Sequence, residues 1–96
     1  MIEYCQQQNL KLVVVTHYCP SYKLLHPSKS EDKYASLYVS HLDYLLNKND
    51  IHTYICGHTH YNFDFKTNGG TRLVSNQLGK PRDGITDYLK NFVVTV

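Results

Sequence analysis

"TYICGHTHYNF", residues 53 to 63, sets two histidines two positions apart directly behind a glycine. The β-leaning run Tyr54-Ile55-Cys56 leads straight into them, so Gly57-His58-Thr59-His60 reads as the turn that ends a strand. Neutral imidazole is a favoured ligand of zinc, manganese, iron and nickel, and the spacing raises the question of a metal site. In a regular strand, residues i and i+2 face one side. On a turn beyond the strand they diverge and can address two neighbouring ions.

The strand before the turn needs neighbours. Leu10 to Thr16, "LKLVVVT", is β-branched and almost continuously apolar, the pattern of a strand covered on both faces in a parallel sheet. Between the two runs, residues 17–30 form a loop with two prolines. "SEDKYASLYVSHLDYLLNKN", residues 30–49, then reads as a helix. Ser30 can cap it, Glu31 and Asp32 sit in its first turn, and Tyr34, Leu37, Tyr38, His41, Leu42, Leu45 and Leu46 make one apolar face. Strand, helix, strand implies a right-handed crossover and a parallel pair. That places Thr16-His17 and Gly57-His58 at one carboxyl edge, where ligands bind in open α/β sheets.

Downstream, Phe63 to Lys66 and Thr71 to Ser75 flank "TNGG", with Asn68-Gly69 as a hairpin signal. Residues 76–87 read as loop, and "FVVTV", Phe92 to Val96, as a last strand. Ile2 to Gln8 reads as the tail of a helix that starts without an N-cap. The expected fold is α/β, in the order (α)-β-α-β-β-β, with a parallel pair leading into a hairpin, and residues 1–96 as one domain.

Bulk properties narrow the function classes. The chain has 96 residues, 42% hydrophobic and 19% charged, and a net charge of +2. That charge, without any Lys/Arg block, gives no nucleic-acid signal. The longest aliphatic run, Leu12 to Val15, is too short to span a membrane, and the N-terminus carries no apolar signal segment. The three widely spaced cysteines, Cys5, Cys19 and Cys56, fit buried thiols in a reducing compartment better than a disulfide framework. The expected product is soluble and cytoplasmic.

Among six histidines, the pattern singles out three. His17 arrives on the strand end adjacent to His58 and His60, so three imidazoles can converge from two loops. His26 in a loop, His41 on the helix face and His52 at a strand start read as ordinary surface or packing residues. Asp50-Ile51-His52 spells D-x-H by chance, just ahead of the second strand.

Thr16-His17-Tyr18-Cys19-Pro20-Ser21 and Gly57-His58-Thr59-His60 together resemble the last two motifs of the calcineurin-like metallophosphoesterases. "RLVSNQLGKPR", residues 72–82, is similar to the strand and loop that follow in that family. Asn76 and Gly79 match an N-P-x-G-Y pattern, whereas Gln77 and Lys80 replace its proline and tyrosine. The resemblance implies a partial metallophosphoesterase-type sandwich and hydrolysis of phosphate mono- or diesters by two divalent ions about 3.5 to 4 Å apart. It assigns His17 and His58 to one ion and His60 to the other, with the metal identity (Mn, Fe, Zn or Ni) open.

The family's earlier motifs, D-x-H, G-D-x-x-D and G-N-H-D/E, which bring its acidic ligands, do not occur in this chain. Asp83-Gly84-Ile85-Thr86-Asp87 has the wrong order for the second of them. The chain therefore reads as the C-terminal part of such a domain, inactive alone. It would hold one ion or none, with a complementary N-terminal half or a second copy as the expected partner. The alternative is a non-catalytic remnant that binds a metal or a partner.

Overall fold

A computed structural model describes residues 1–25, 39–46 and 50–96 of the chain. They form a small mixed α/β domain around one four-stranded sheet. The elements are α1 (Ile2–Gln7), β1 (Val13–Val15), α2 (Asp43–Leu46), β2 (Thr53–Ile55), β3 (Phe63–Lys66) and β4 (Arg72–Ser75). Across the sheet the strands run β1-β2-β4-β3. β1, β2 and β4 are parallel, with Val14, Tyr54 and Leu73 in one row, and β3 is antiparallel to β4. The chain leaves β2, crosses to the outer strand β3, and returns through the hairpin to fill the place between them.

That hairpin forms where the sequence places it, by a different device from a two-residue turn. The Gly70 N–H donates to the Thr67 carbonyl and the Thr67 N–H to the Thr71 carbonyl. The positive φ of 95° falls on Gly70, after Asn68-Gly69. This is the turn-plus-bulge connection, in which glycine takes the left-handed position at no steric cost.

α1 starts at Met1 without a side-chain cap, as expected, and ends in a reciprocal pair of bonds: Leu10 N–H to the Cys5 carbonyl and Asn9 N–H to the Gln6 carbonyl. Asn9 sits at φ 55°, so this is a Schellman ending with asparagine in the left-handed place.

Two expectations about the strands change. β1 is an edge strand rather than one covered on both faces. Val13 is 37% and Val15 69% exposed, while Val14 packs against the core. Its apolar run is longer than its ladder. "FVVTV" is not a strand: no described residue forms a ladder with it, and Val93 and Val96 are exposed. The approach to it is held instead by the Asn76 side chain, which donates to the Leu89 carbonyl and accepts from the Leu89 N–H. One amide group thus imitates a strand neighbour.

The helix expected over residues 30–49 falls largely outside the described residues, Ser30 among them, as does His26. Within them it is not continuous. Val39 bridges Cys19 in parallel, the Ser40 and Leu42 N–H groups donate to the Cys19 and Pro20 carbonyls, and only Asp43–Leu46 is helical. Backbone groups given to that pairing cannot close helical turns. His41 accordingly lies exposed, its ring stacked on Tyr22 at 4.3 Å, rather than in an apolar helix face.

Cys19, Leu24, Leu25, Val39, Leu46, Ile51, Tyr54, Cys56 and Leu73 form the core on one face of the sheet. Buried polar groups at its edge are paired: the Thr71 hydroxyl donates to the Ile51 carbonyl at 2.7 Å, and Ser21 donates to Asp43 at 2.9 Å. Among the described residues, no helix is long and apolar enough to cross a membrane.

Candidate functional site

The parallel pairing of β1 and β2 extends past both strands. The Thr16 N–H donates to the Ile55 carbonyl, and the Gly57 N–H returns to the His17 carbonyl at 3.1 Å. The two histidine-bearing ends are thereby tied backbone to backbone. His58 Nδ1 lies 2.9 Å from His17 Nε2, and the rings meet edge to face at 4.7 Å between centroids. Tyr18 completes an aromatic trio, edge-on to His58 at 5.0 Å. At the 2.9 Å contact one ring nitrogen carries the proton and the other accepts it. Desolvation, and then the neighbouring His17 and His60, hold the His58 imidazole below its usual basicity.

His60 turns elsewhere. Its Nδ1 pairs with Asp83 Oδ2 at 2.9 Å. The same carboxylate accepts the Lys80 backbone N–H at 2.6 Å, closing a capping box on the 3-10 turn Pro81–Asp83. That backbone bond, more than His60, keeps Asp83 below the ordinary carboxylate range. Of the three predicted histidines, then, the structure brings His17 and His58 into direct contact and sends His60 to a carboxylate. His52 binds Thr53 Oγ1 at 2.7 Å, a local contact at a strand start. Asp50 accepts from Gln6 and takes no part.

The turn holding these rings is strained. His58 has φ 68° and His60 φ 55°, both left-handed, where a β-carbon costs about 1–2 kcal/mol. The Thr59 N–H donates to the Gly57 carbonyl at 2.8 Å, so His58 is the centre of a γ-turn with positive φ, the rare and strained form. Gly57 itself is not forced to be glycine. Its φ is not positive, and an added β-carbon would meet the His17 carbonyl and Gln77 only at 3.9–4.0 Å.

Gln77 offsets this strain, a role its place in the sequence did not announce. Its Oε1 accepts the His60 N–H at 2.8 Å, while Nε2 lies 2.7 Å from Ser75 Oγ and 3.1 Å from the Tyr61 carbonyl. Its backbone is clasped in turn by Asn62, which accepts the Gln77 N–H and donates to the Gln77 carbonyl at 2.9 Å. Gln77 reaches this edge because β4 lies beside β2 and parallel to it, so a residue two past Ser75 arrives level with His58, a placement that no local pattern announces.

Beneath the histidines lie Cys19 and Cys56, two residues after His17 and two before His58. Both are buried, with sulfurs 2.9 Å apart. The hydrogen bond between them draws the Cys19 thiol below its usual range and, with burial, raises Cys56 far above it.

The donor set fits a metal in part. Two imidazole nitrogens on one zinc ion at about 2.0–2.1 Å and tetrahedral angles stand roughly 3.3 Å apart, close to the His17–His58 contact. Among the described residues, however, no group of three or more His, Cys, Asp or Glu side chains is arranged to hold an ion. Compared with models of known protein families, with curated proteins and with solved structures, the chain has no match.

Proposed function

We propose that the chain carries the histidine side of a metal-dependent phosphoesterase-type site and does not hydrolyse phosphate esters by itself. The observation that carries this reading is the pair of strand ends, T-H and G-H-x-H, delivering His17 and His58 to one point at the carboxyl edge of adjacent parallel strands. An ion held there would polarise a phosphoryl oxygen and lower the pKa of a bound water. This chain's own part is to bring two imidazoles together from adjacent strand ends, with His58 on a strained turn, and to pair His60 with Asp83. A complementary segment or a second copy supplies the acidic ligands.

A second reading has its own support. His17 and His58 satisfy each other, and His60 is paired with Asp83, so the histidines are stable without any ion. In that reading the chain is a non-catalytic module with a residual or lost metal site.

Calorimetric titration with Mn²⁺ and Zn²⁺ separates them. The first reading expects ion binding that disappears in both His17→Ala and His58→Ala, with no turnover of an aryl phosphodiester. Binding that survives both substitutions, or none in the parent, leaves the module reading. Turnover by the parent that is abolished in His58→Ala would overturn the claim of inactivity.

A further inference from the structure

The two strand ends carry mirrored triplets, His17-x-Cys19 and Cys56-x-His58. The histidines meet at the surface and the cysteines beneath it. Cys19 and Cys56 are 1% and 6% exposed, and their sulfurs lie 2.9 Å apart, leaving less than about 1 Å to close to a disulfide bond length. Cys19 also faces the Gly57 carbonyl at 3.6 Å and the Thr59 hydroxyl at 3.9 Å, so its sulfur touches the turn that holds His58. The third cysteine, Cys5, is buried on α1 and takes no part in this contact.

We propose that Cys19 and Cys56 form an oxidisable dithiol, closed by peroxide into a disulfide that pins the two histidine-bearing strand ends together. Peroxide is the oxidant class that fits, because a thiol this enclosed excludes a bulky disulfide reagent and admits a molecule little larger than water. One thiol attacks a peroxide oxygen, the O–O bond breaks, and the products are a sulfenic acid and water. The second thiol then attacks the sulfenic sulfur, the S–O bond breaks, and a second water leaves with the hydroxyl and the thiol proton. Both sulfurs are oxidised by one electron each and one peroxide is reduced. In a reducing compartment such bonds are transient and sensing rather than structural, and thiols reverse them. This inference does not depend on a metal at the histidines.

The test treats the native 96-residue chain with hydrogen peroxide, quenches it, unfolds it and labels the remaining thiols with maleimide. The expected result is a monomer that has lost two hydrogen atoms, keeps one reactive thiol at Cys5, and yields a Cys19–Cys56 linked peptide on digestion. Dithiothreitol should restore all three thiols. Three labelled cysteines after treatment overturn the proposal. So does a link through Cys5, a cross-linked dimer, or stepwise oxidation to sulfinic acid without a link. Cys19→Ser and Cys56→Ser should each form no intramolecular link, the lone partner thiol going no further than its own sulfenic or sulfinic acid, and a link that consumes both remaining thiols in either variant refutes the pairing. The parent's peptide map decides the question even where a variant fails to fold.

Discussion

Replacing Gln77 by alanine is the sharpest probe of how the histidine turn is held. The side chain accepts one backbone N–H, from His60, and its amide donates toward Ser75, Tyr61 and Thr59. An amide nitrogen has two hydrogens, so two donations are strong at once and three bonds are at stake. At about 1 kcal/mol net each, the loss is about 3 kcal/mol. Against it stands the strain of two left-handed histidines, about 1–2 kcal/mol apiece, part of which is relieved when the turn lets go. The expected outcome is a net destabilisation of about 2 kcal/mol, a fall in Tm of roughly 8–16 °C for a chain of this size. Thermal and urea unfolding followed by circular dichroism measure it, and exchange of the His60 amide should quicken at the same time. Gln77→Glu keeps the acceptor for His60 and loses the donor to the Tyr61 carbonyl, so its loss should be intermediate. A Gln77→Ala chain within about 0.5 kcal/mol of the parent, with the His60 amide still protected, refutes the reasoning, because three bonds at that average cannot vanish unnoticed.

Other outcomes follow from the same geometry. Gly57→Ala should fold with a stability change within about 0.5–1 kcal/mol by urea titration, since its β-carbon meets only ordinary contacts. Gly79→Ala should cost more than that, because φ is 70° and the new carbon would stand 2.5 Å from Ile85 Cδ1 and 2.9 Å from the Asp83 carboxylate; weakening of the His60–Asp83 contact in NMR spectra would accompany it. His58→Gly should leave stability unchanged or raise it, up to about 1 kcal/mol, as the strain of its positive φ is relieved; a loss beyond about 1.5 kcal/mol would show that the His17 contact outweighs the strain. Asp64, held below the usual carboxylate range first by its two hydrogen bonds from Arg72 at 2.8 and 2.7 Å, supplies stability present above its unfolded pKa. That contribution is lost as acid carries the pH down through its lower folded value, and Asp64→Asn should flatten that limb slightly, as expected of an exposed pair.

What the sequence revealed and what it hid divide along the range of the interactions. Gly57-His58-Thr59-His60 behind a β run, and Asn68-Gly69 between two more, are local signals, and both turns lie where they predict. The meeting of His17 with His58 needed one non-local inference, the parallel pair, which the strand-helix-strand order supplied; the pair is present, while the helix expected over residues 30–49 lies largely outside the described residues. The exposure of β1 was not legible, because an apolar run reads the same on an edge strand as in the middle of a sheet. The strand order β1-β2-β4-β3 was not legible either, and with it went Gln77, which joins the site only because β4 lies beside β2. "FVVTV" shows the reverse error. Its β-propensity is real, but propensity alone makes no ladder without a strand paired to it, and the asparagine clasp at Leu89 is a side-chain device that no periodicity signals.

The number of ions this edge can hold follows from charge. Two divalent ions about 4 Å apart repel by about 17 kcal/mol at an effective dielectric of 20. Imidazoles are neutral ligands and do not offset it. Among the described residues the carboxylate paired with one of these histidines is Asp83, on His60, and it is already shared between that ring and the Lys80 N–H. One ion meets no such repulsion. At His17 and His58 it needs only the loss of one hydrogen bond, about 1 kcal/mol, and a shift of one proton to the far nitrogen of its ring. The isolated chain should therefore bind one ion at most, with His17 and His58 as its imidazoles and with weak affinity because the remaining positions go to water. Calorimetry that saturates at two ions per monomer would refute this, and would mean that a carboxylate from a second copy completes the site. Sedimentation of the loaded protein would then show a dimer.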